Sequence, residues 1–161
     1  YLELSETKSL PRVASIQNAY NLVNRGFEIG LSEIAMQEQV GLLAYSPLAQ
    51  GTLTGKYLNG QMPQGSRLAL FGDTPLMMRY KGDKTQKAIE MYVEVAKKFE
   101  IDPTQLAIQF CNIQPFVTSN IIGATTMEQL KICIDSIHLD INKEIMNEIR
   151  KVHKEIPNPA P

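Results

Sequence analysis

Two stretches carry the residues whose types and spacing could do chemistry: LAYSPLAQGTLTGKY at 43–57 and NIIGATTMEQL at 120–130. In each, a short apolar run breaks into a loop of glycine, serine and threonine whose backbone is open to close approach. Such loops gather N–H groups around an anion, and where one opens a helix the helix dipole favours negative charge. Two strand ends that each lead into such a turn are the makings of a phosphate and cofactor site. No catalytic acid can be placed beside these loops. The pattern is that of a binding half without its chemistry.

The other reactive side chains add little to the site. His138 and His153 fall in the last helical region, far along the chain from any strand end. Asp73, Asp83 and Glu94 form no metal-spaced cluster, so a metal site is not expected. Tyr57 or Tyr80 as a proton donor would need ~3 Å reach to a carbonyl oxygen and a neighbour that lowers its pKa. Met62, Met77 and Met78 read as packing contacts of a loop.

The elements that must position the two loops follow from periodicity. Strands are expected at 12–17, 42–45 and 117–122, the second an apolar run without alternation, as where both faces are covered, and the third without polar alternation at its end. A helix is expected over 28–40, with Gly41 as its stop. Residues 46–82, rich in Gly, Pro and Met, read as one long irregular segment, and loops of that length are usually functional. Helices follow over 83–99 and from Asp102-Pro103, an N-cap with proline at the first helical position. Thr126-x-x-Gln129 fits a capping box. A last amphipathic helix spans 142–156, and the tail PNPAP reads as loose. Strands separated by helices pair in parallel through βα crossovers.

Composition bounds the function. With 161 residues, 43% hydrophobic and 20% charged, the chain suits one soluble domain with a real core. A net charge of −1 argues against nucleic acid as partner. No run of ~18 apolar residues could span a membrane. Cys111 and Cys133 sit in helix-like apolar patterns and read as reduced core residues, which points to the cytoplasm. The chain opens on Tyr1 in a helix-like polar segment, a hint of truncation or processing. Three parallel strands leave both sheet edges open, so a larger sheet or a partner is expected to complete them.

With these motifs in view, the chain resembles the aldo-keto reductases, a bacterial branch in particular. The resemblance rests on SIQNAYNLVNR (15–25), LLAYSPLAQGTLTGKYLNG (42–60), SNIIGATTMEQL (119–130) and VHKEIPNPAP (152–161), in the family's order. It covers essentially all of residues 1–161 and matches only the C-terminal portion of such an enzyme. The resemblance implies an α/β fold, with the three strands as the sixth, seventh and eighth of a (β/α)8 TIM barrel. It implies NADP(H) as cofactor, bound extended, and hydride transfer between the nicotinamide and an aldehyde or ketone.

By the same resemblance, Gln17 would hydrogen-bond the nicotinamide carboxamide and Tyr45 would stack on its ring. Ser46, Leu48, Gln50 and Gly51 would line the pyrophosphate, with Lys56 holding the phosphates from the far side. Arg67 would lie near the adenosine 2′-phosphate, and Gly123, Thr125 and Gln129 at the adenosine end. Cys133 stands where family members often carry an asparagine that contacts the adenine, and Gly123 where other branches carry Lys or Arg. The family's catalytic Tyr, Lys, Asp and His belong to the first four strands, so none is expected here. A missing N-terminal half, or a second copy, would then cover the open strand edges. A non-catalytic half-barrel module that binds nucleotide or a protein partner is the alternative.

Overall fold

The computed structural model describes residues 1–161. In chain order the elements are α1 (Leu2–Thr7), β1 (Ser15–Ala19), α2 (Leu31–Gln37), β2 (Gly41–Tyr45), α3 (Arg67–Phe71), α4 (Pro75–Met78), α5 (Asp83–Lys98), α6 (Pro103–Asn112), β3 (Val117–Ile121), α7 (Met127–Asp135) and α8 (Lys143–Glu155). The three strands form one parallel sheet in the order β1-β2-β3. Helices lie between successive strands, an α/β arrangement consistent with part of a barrel.

One sheet face is covered and the other is not. Leu42 and Ala44 of β2 are fully buried against the helices, while Tyr45 is 36% exposed. Register sets Gln17 beside Leu43 beside Ser119, and Ala19 beside Tyr45 beside Ile121. These alternate residues share the second face, where Gln17, Tyr45, Ser119 and Ile121 are exposed. The expectation of strands covered on both faces holds for the helix side alone.

Gly41 has a different role from the one its position suggests. The helix before it ends at Gln37, and the left-handed residue that closes it is Gln39, with φ 53°. Gly41 is instead the first residue of β2. The β2–β3 register slips between Leu42 and Leu43, leaving Thr118 as an extra residue opposite them. A Cβ on Gly41 would lie 1.7 Å from Thr118 Oγ1. A side chain at position 41 would have to displace Thr118.

The helices cover the sheet as their patterns dictate. α5 buries Thr85, Ala88, Ile89, Tyr92 and Ala96 on one stripe, and Asp83 at its start with Lys97 and Lys98 at its end complement the dipole. It packs on α8, which buries Ile145, Ile149 and Val152. Asp102 caps α6 as expected, its Oδ1 accepting from the Thr104 and Gln105 N–H groups at 2.7 and 3.3 Å. Under the sheet, Tyr20 stacks on Phe110 at 5.9 Å and meets Phe116 edge-on at 5.2 Å.

Two further expectations are corrected. Residues 46–82 are not one irregular loop: they hold 3-10 turns at Ala49–Thr54 and Leu58–Gly60, and the short helices α3 and α4. Met77 and Tyr80 anchor the segment in the interior. Nor is the tail loose. Ala160 is buried and its N–H donates to the Val23 carbonyl at 3.1 Å. The Arg25 N–H donates to Asn158 Oδ1 at 2.8 Å, and Thr85 Oγ1 donates to the Pro159 carbonyl at 2.8 Å. Proline supplies no N–H, so PNPAP binds mostly through acceptors.

Candidate functional site

A cleft of about 650 Å³ lies at the C-terminal ends of β2 and β3. One wall is the loop Ser46–Gly51 with Lys56, the other is the turn from Ile121 to Thr126 with Gln129. The segment from Pro63 to Arg67 closes one side. This is where parallel βα units hold their ligands, because strand ends and helix N-termini converge there.

The loop after β2 is bent by backbone rather than by side chains. Ser46, Ala49, Gln50 and Gly51 all have positive φ, at 55°, 48°, 60° and 89°. Its N–H groups at Ala49 and Gly51 turn inward to Ser46 and Leu48 carbonyls at 2.9 and 2.8 Å. Those of Ser46 and Leu48 have no acceptor within the protein, and both residues line the cleft. Gly51 permits a close approach: a Cβ there would lie 3.2 Å from Lys56 Cε and Nζ. Lys56 Nζ sits 5.1 Å from the Tyr57 ring centroid.

Across the cleft, Thr126 caps α7 by accepting from the Gln129 N–H at 3.2 Å. The reciprocal half of the capping box is shifted by one residue. Gln129 Oε1 accepts from the N–H of Thr125, at 3.0 Å, and from its hydroxyl, at 3.1 Å. Arg67 spans the two walls. Its Nη1 donates to Gln50 Oε1 at 2.6 Å, and its Nη2 lies 3.8 Å from where a Gly123 Cβ would stand.

The electrostatics are one-sided. Lys56 and Arg67 line the cleft, no Asp or Glu does, and neither cation takes part in the chain's ion pairs. Two unneutralised cations, free N–H groups and a helix N-terminus suit a phosphate-bearing ligand. A dinucleotide such as NADP(H) fits this donor set.

Ten of the twelve residues expected at such a site meet here: Tyr45, Ser46, Leu48, Gln50, Gly51, Lys56, Arg67, Gly123, Thr125 and Gln129. Gln17 lies outside the cleft wall, on the exposed sheet face that Tyr45 shares one strand away. Cys133 is buried in α7, and burial pushes its thiol up, with Asp102 adding to the shift. It does not reach the cleft wall.

The sequence of the chain matches the profile described as "Aldo/keto reductase family" over residues 2–154. The chain belongs to the aldo/keto reductase family. It is 50% identical to "Protein tas" of Escherichia coli (strain K12) over 161 residues, 100% of this chain and 46% of that protein. It is 33% identical to "Aldo-keto reductase" of Babesia bovis, over 95% of this chain and 55% of the relative. It is 37% identical to "L-glyceraldehyde 3-phosphate reductase" of Escherichia coli (strain K12), over 71% of this chain and 34% of the relative. The chain therefore spans about half the length of these relatives.

Two groups of this aldo/keto reductase chain went unnoticed in the sequence. One is Asn21, which donates to the Ser46 carbonyl at 3.0 Å from the loop after β1. The other is a half-buried ionic cluster. Glu28 accepts from Tyr20 OH and Arg25 Nε at 2.6 Å each and from Arg25 Nη2 at 2.8 Å. Burial raises the Glu28 carboxyl, but the bonds from Arg25 and Tyr20 outweigh it and hold it below its ordinary value. Both signals were hidden in QNAYNLVNRGFE, where nothing local announces which polar residues fold inward.

Neither Tyr57 nor Tyr80 is part of the cleft wall. Tyr80 is buried and burial pushes its hydroxyl up, against what ready proton transfer requires. The Tyr57 hydroxyl accepts from the Leu68 N–H at 3.4 Å. No group of three or more His, Cys, Asp or Glu residues is placed to hold a metal ion. No helix is long and apolar enough to cross a membrane.

Proposed function

We propose that residues 1–161 are the NADP(H)-binding portion of an aldo-keto reductase, contributing the sixth, seventh and eighth strands of a (β/α)8 barrel. The observation that carries this reading is the cleft with two cations and no carboxylate on its walls. When bound, the nicotinamide supplies the hydride for an aldehyde or ketone, and the cofactor carries that chemistry. This chain's residues bind and orient. Tyr45, at the strand end with an exposed ring, gives a flat surface for the nicotinamide. Gln17, on the same sheet face, offers its amide to the carboxamide. The Ser46 and Leu48 N–H groups and Lys56 hold the pyrophosphate. Arg67 fills the space beside Gly123, so it supplies the 2′-phosphate contact that a cation at 123 would otherwise make. Gly123, Thr125 and Gln129 form the adenosine end.

On this reading, the chain alone reduces no carbonyl, because the acid that protonates the oxygen comes from the other half of the barrel. That half would also cover the apolar groups this chain exposes just before β1 and along α2, among them Val13, Leu31, Ile34 and Met36. The free, buried Cys111 and Cys133 suit a reducing, cytoplasmic setting. The open edges support a second reading, in which a separate half or a second copy completes the sheet and the module is non-catalytic.

Titration calorimetry of the 161-residue chain with NADP+ and NAD+ tests the proposal. Binding of NADP+ at least about tenfold tighter than NAD+ is expected, the weight of one charge-assisted phosphate contact. No binding of either sinks the cofactor reading. Carbonyl reduction by the chain alone, rising with its concentration, contradicts the division of labour. Sedimentation of the same sample separates monomer from a self-completed dimer.

A further inference from the structure

The loops after β1 and β2 are tied together by one side chain. Asn21 is 0% exposed. Its Nδ2 donates to the Ser46 carbonyl at 3.0 Å, and its Oδ1 accepts from the Val23 and Asn24 N–H groups at 3.0 and 2.9 Å. Its main chain is fixed too, by reciprocal bonds with Asn24 of 3.0 and 3.1 Å. The C-terminal tail holds this base in place through Val23 and Arg25. Asn21 is therefore a rigid donor to the Ser46 carbonyl, with the Tyr80 hydroxyl as its other side-chain neighbour.

What it holds is a conformation the loop would not choose. Ser46, with φ 55°, begins a run of left-handed residues that continues at Ala49, Gln50 and Gly51. Non-glycine residues enter that region at a cost and persist there only when their surroundings over-determine them. Within the loop, the Ser46 carbonyl also accepts from the Ala49 N–H at 2.9 Å, and Gln50 Nε2 donates to Ser46 Oγ at 2.9 Å. Those bonds move with the loop and cannot fix it to the fold. Asn21 is the one side chain from outside residues 46–54 that bonds the loop's main chain between Ser46 and Gly51.

We infer that Asn21 is a positioning residue for the cleft: by clamping the Ser46 carbonyl it fixes the left-handed start of the loop and keeps the free N–H groups of Ser46 and Leu48 on the cleft wall. The ligand named for that wall rests on the NADP(H) reading, while the clamp on the loop stands apart from it.

Asn21→Asp isolates the clamp. It retains an acceptor for Val23 and Asn24 and replaces the donor to Ser46 with an oxygen. Amide hydrogen exchange of the full chain is expected to be about tenfold faster over residues 46–56, the factor lost with one buried hydrogen bond. α5 and α8 should exchange as in the parent. Lowering the pH should restore the loop's protection relative to the intrinsic exchange rate at each pH, since a protonated carboxyl can donate to the Ser46 carbonyl. Affinity for 2′,5′-ADP should fall about tenfold in parallel. Unchanged exchange in the loop overturns the inference, and so does a rise spread equally over α5 and α8, which marks general loosening. Should the aspartate variant not fold, Asn21→Ser, which keeps a turn acceptor but is too short to reach Ser46, is read the same way. If the parent chain itself fails to bind 2′,5′-ADP, the nucleotide reading falls, and exchange of the ligand-free loop still decides the role of Asn21.

Discussion

Arg67 Nη1 and Gln50 Oε1 meet at 2.6 Å, so the guanidinium is held across the cleft by a neutral amide and not by a carboxylate. The difference matters because an amide orients the cation without cancelling its charge. Gln50 also donates from Nε2 to Ser46 Oγ, which locks which end of the amide faces Arg67. Gln50→Glu would pair with Arg67 and add a negative charge where the proposed ligand would place a phosphate. Affinity for 2′,5′-ADP should fall in the order parent, Gln50→Ala, Gln50→Glu. The glutamate variant should be about tenfold weaker than the alanine one, the size of a partly solvated charge pair. Equal affinities for the two variants would remove the anion from this part of the cleft. Calorimetry at fixed ionic strength makes the comparison.

Gly41 and Thr118 give a second, purely steric prediction. Thr118 Oγ1 stands where a side chain at 41 would begin, at 1.7 Å from an ideal Cβ, with Thr118 Cβ at 3.0 Å. Gly41→Ala should destabilise the chain by about 1–3 kcal/mol, the range for overpacking in a fixed environment. Thr118→Ala in the same chain removes the nearer atom and should recover part of that loss. Urea denaturation of the two single variants and the double variant yields the coupling. Strictly additive losses would mean that the bulge opens freely around position 41.

The contrast between Gly41 and Asp102 shows which parts of the fold were legible. Asp102-Pro103 announces a helix start by local chemistry, and the structure places the cap there because both partners lie within three residues. Gly41 follows a helix and so reads as its stop, yet its reason lies on another strand 77 positions later, in a bulge no local pattern reveals. The cleft was legible for a similar reason: its walls are two continuous loops, each with its own Gly, Ser and Thr signature. Asn21 was not, because its importance is a single long-range bond to Ser46. The half-open sheet was misread as covered on both faces, since an apolar run cannot say whether the second covering layer belongs to the same chain.

The C-terminal tail offers a third test. Asn158, at φ 44°, puts its Oδ1 on the Arg25 N–H at 2.8 Å, and Ala160 reaches Val23 two residues later. Asn158→Ala leaves that N–H without its partner and forces alanine into the left-handed region. A loss of about 1–3 kcal/mol is expected, the cost of stranding a partly buried donor. Asn158→Gly relieves the backbone and not the lost bond, so it should recover only part of the stability. Thermal denaturation of both variants reads this out, and parent-like stability in Asn158→Ala would return the tail to a merely draped segment.

His153 supplies the pH dependence. It lies on α8 facing the cluster of Arg25, Glu28 and Tyr20, and its Nδ1 is buried without a hydrogen-bond partner. Burial lowers its pKa first, the Arg25 guanidinium lowers it further, and Glu28 opposes them only in part. The unfolded chain then binds the proton more tightly than the native one. The contribution of neutral His153 is fully present above the unfolded-state pKa of roughly 6.5 and is lost as pH falls through the lower folded-state value. Glu28 has the same sign but in a more acidic window, because its carboxyl is also held below its ordinary value. Between pH 7 and 5 the histidine can thus be read apart from it. The parent should lose stability over that interval relative to His153→Leu, whose side chain cannot titrate, so the two denaturation midpoints should draw apart or cross as the pH is lowered. Midpoints that fall in parallel would mean that His153 is protonated in the folded chain as readily as in the unfolded one.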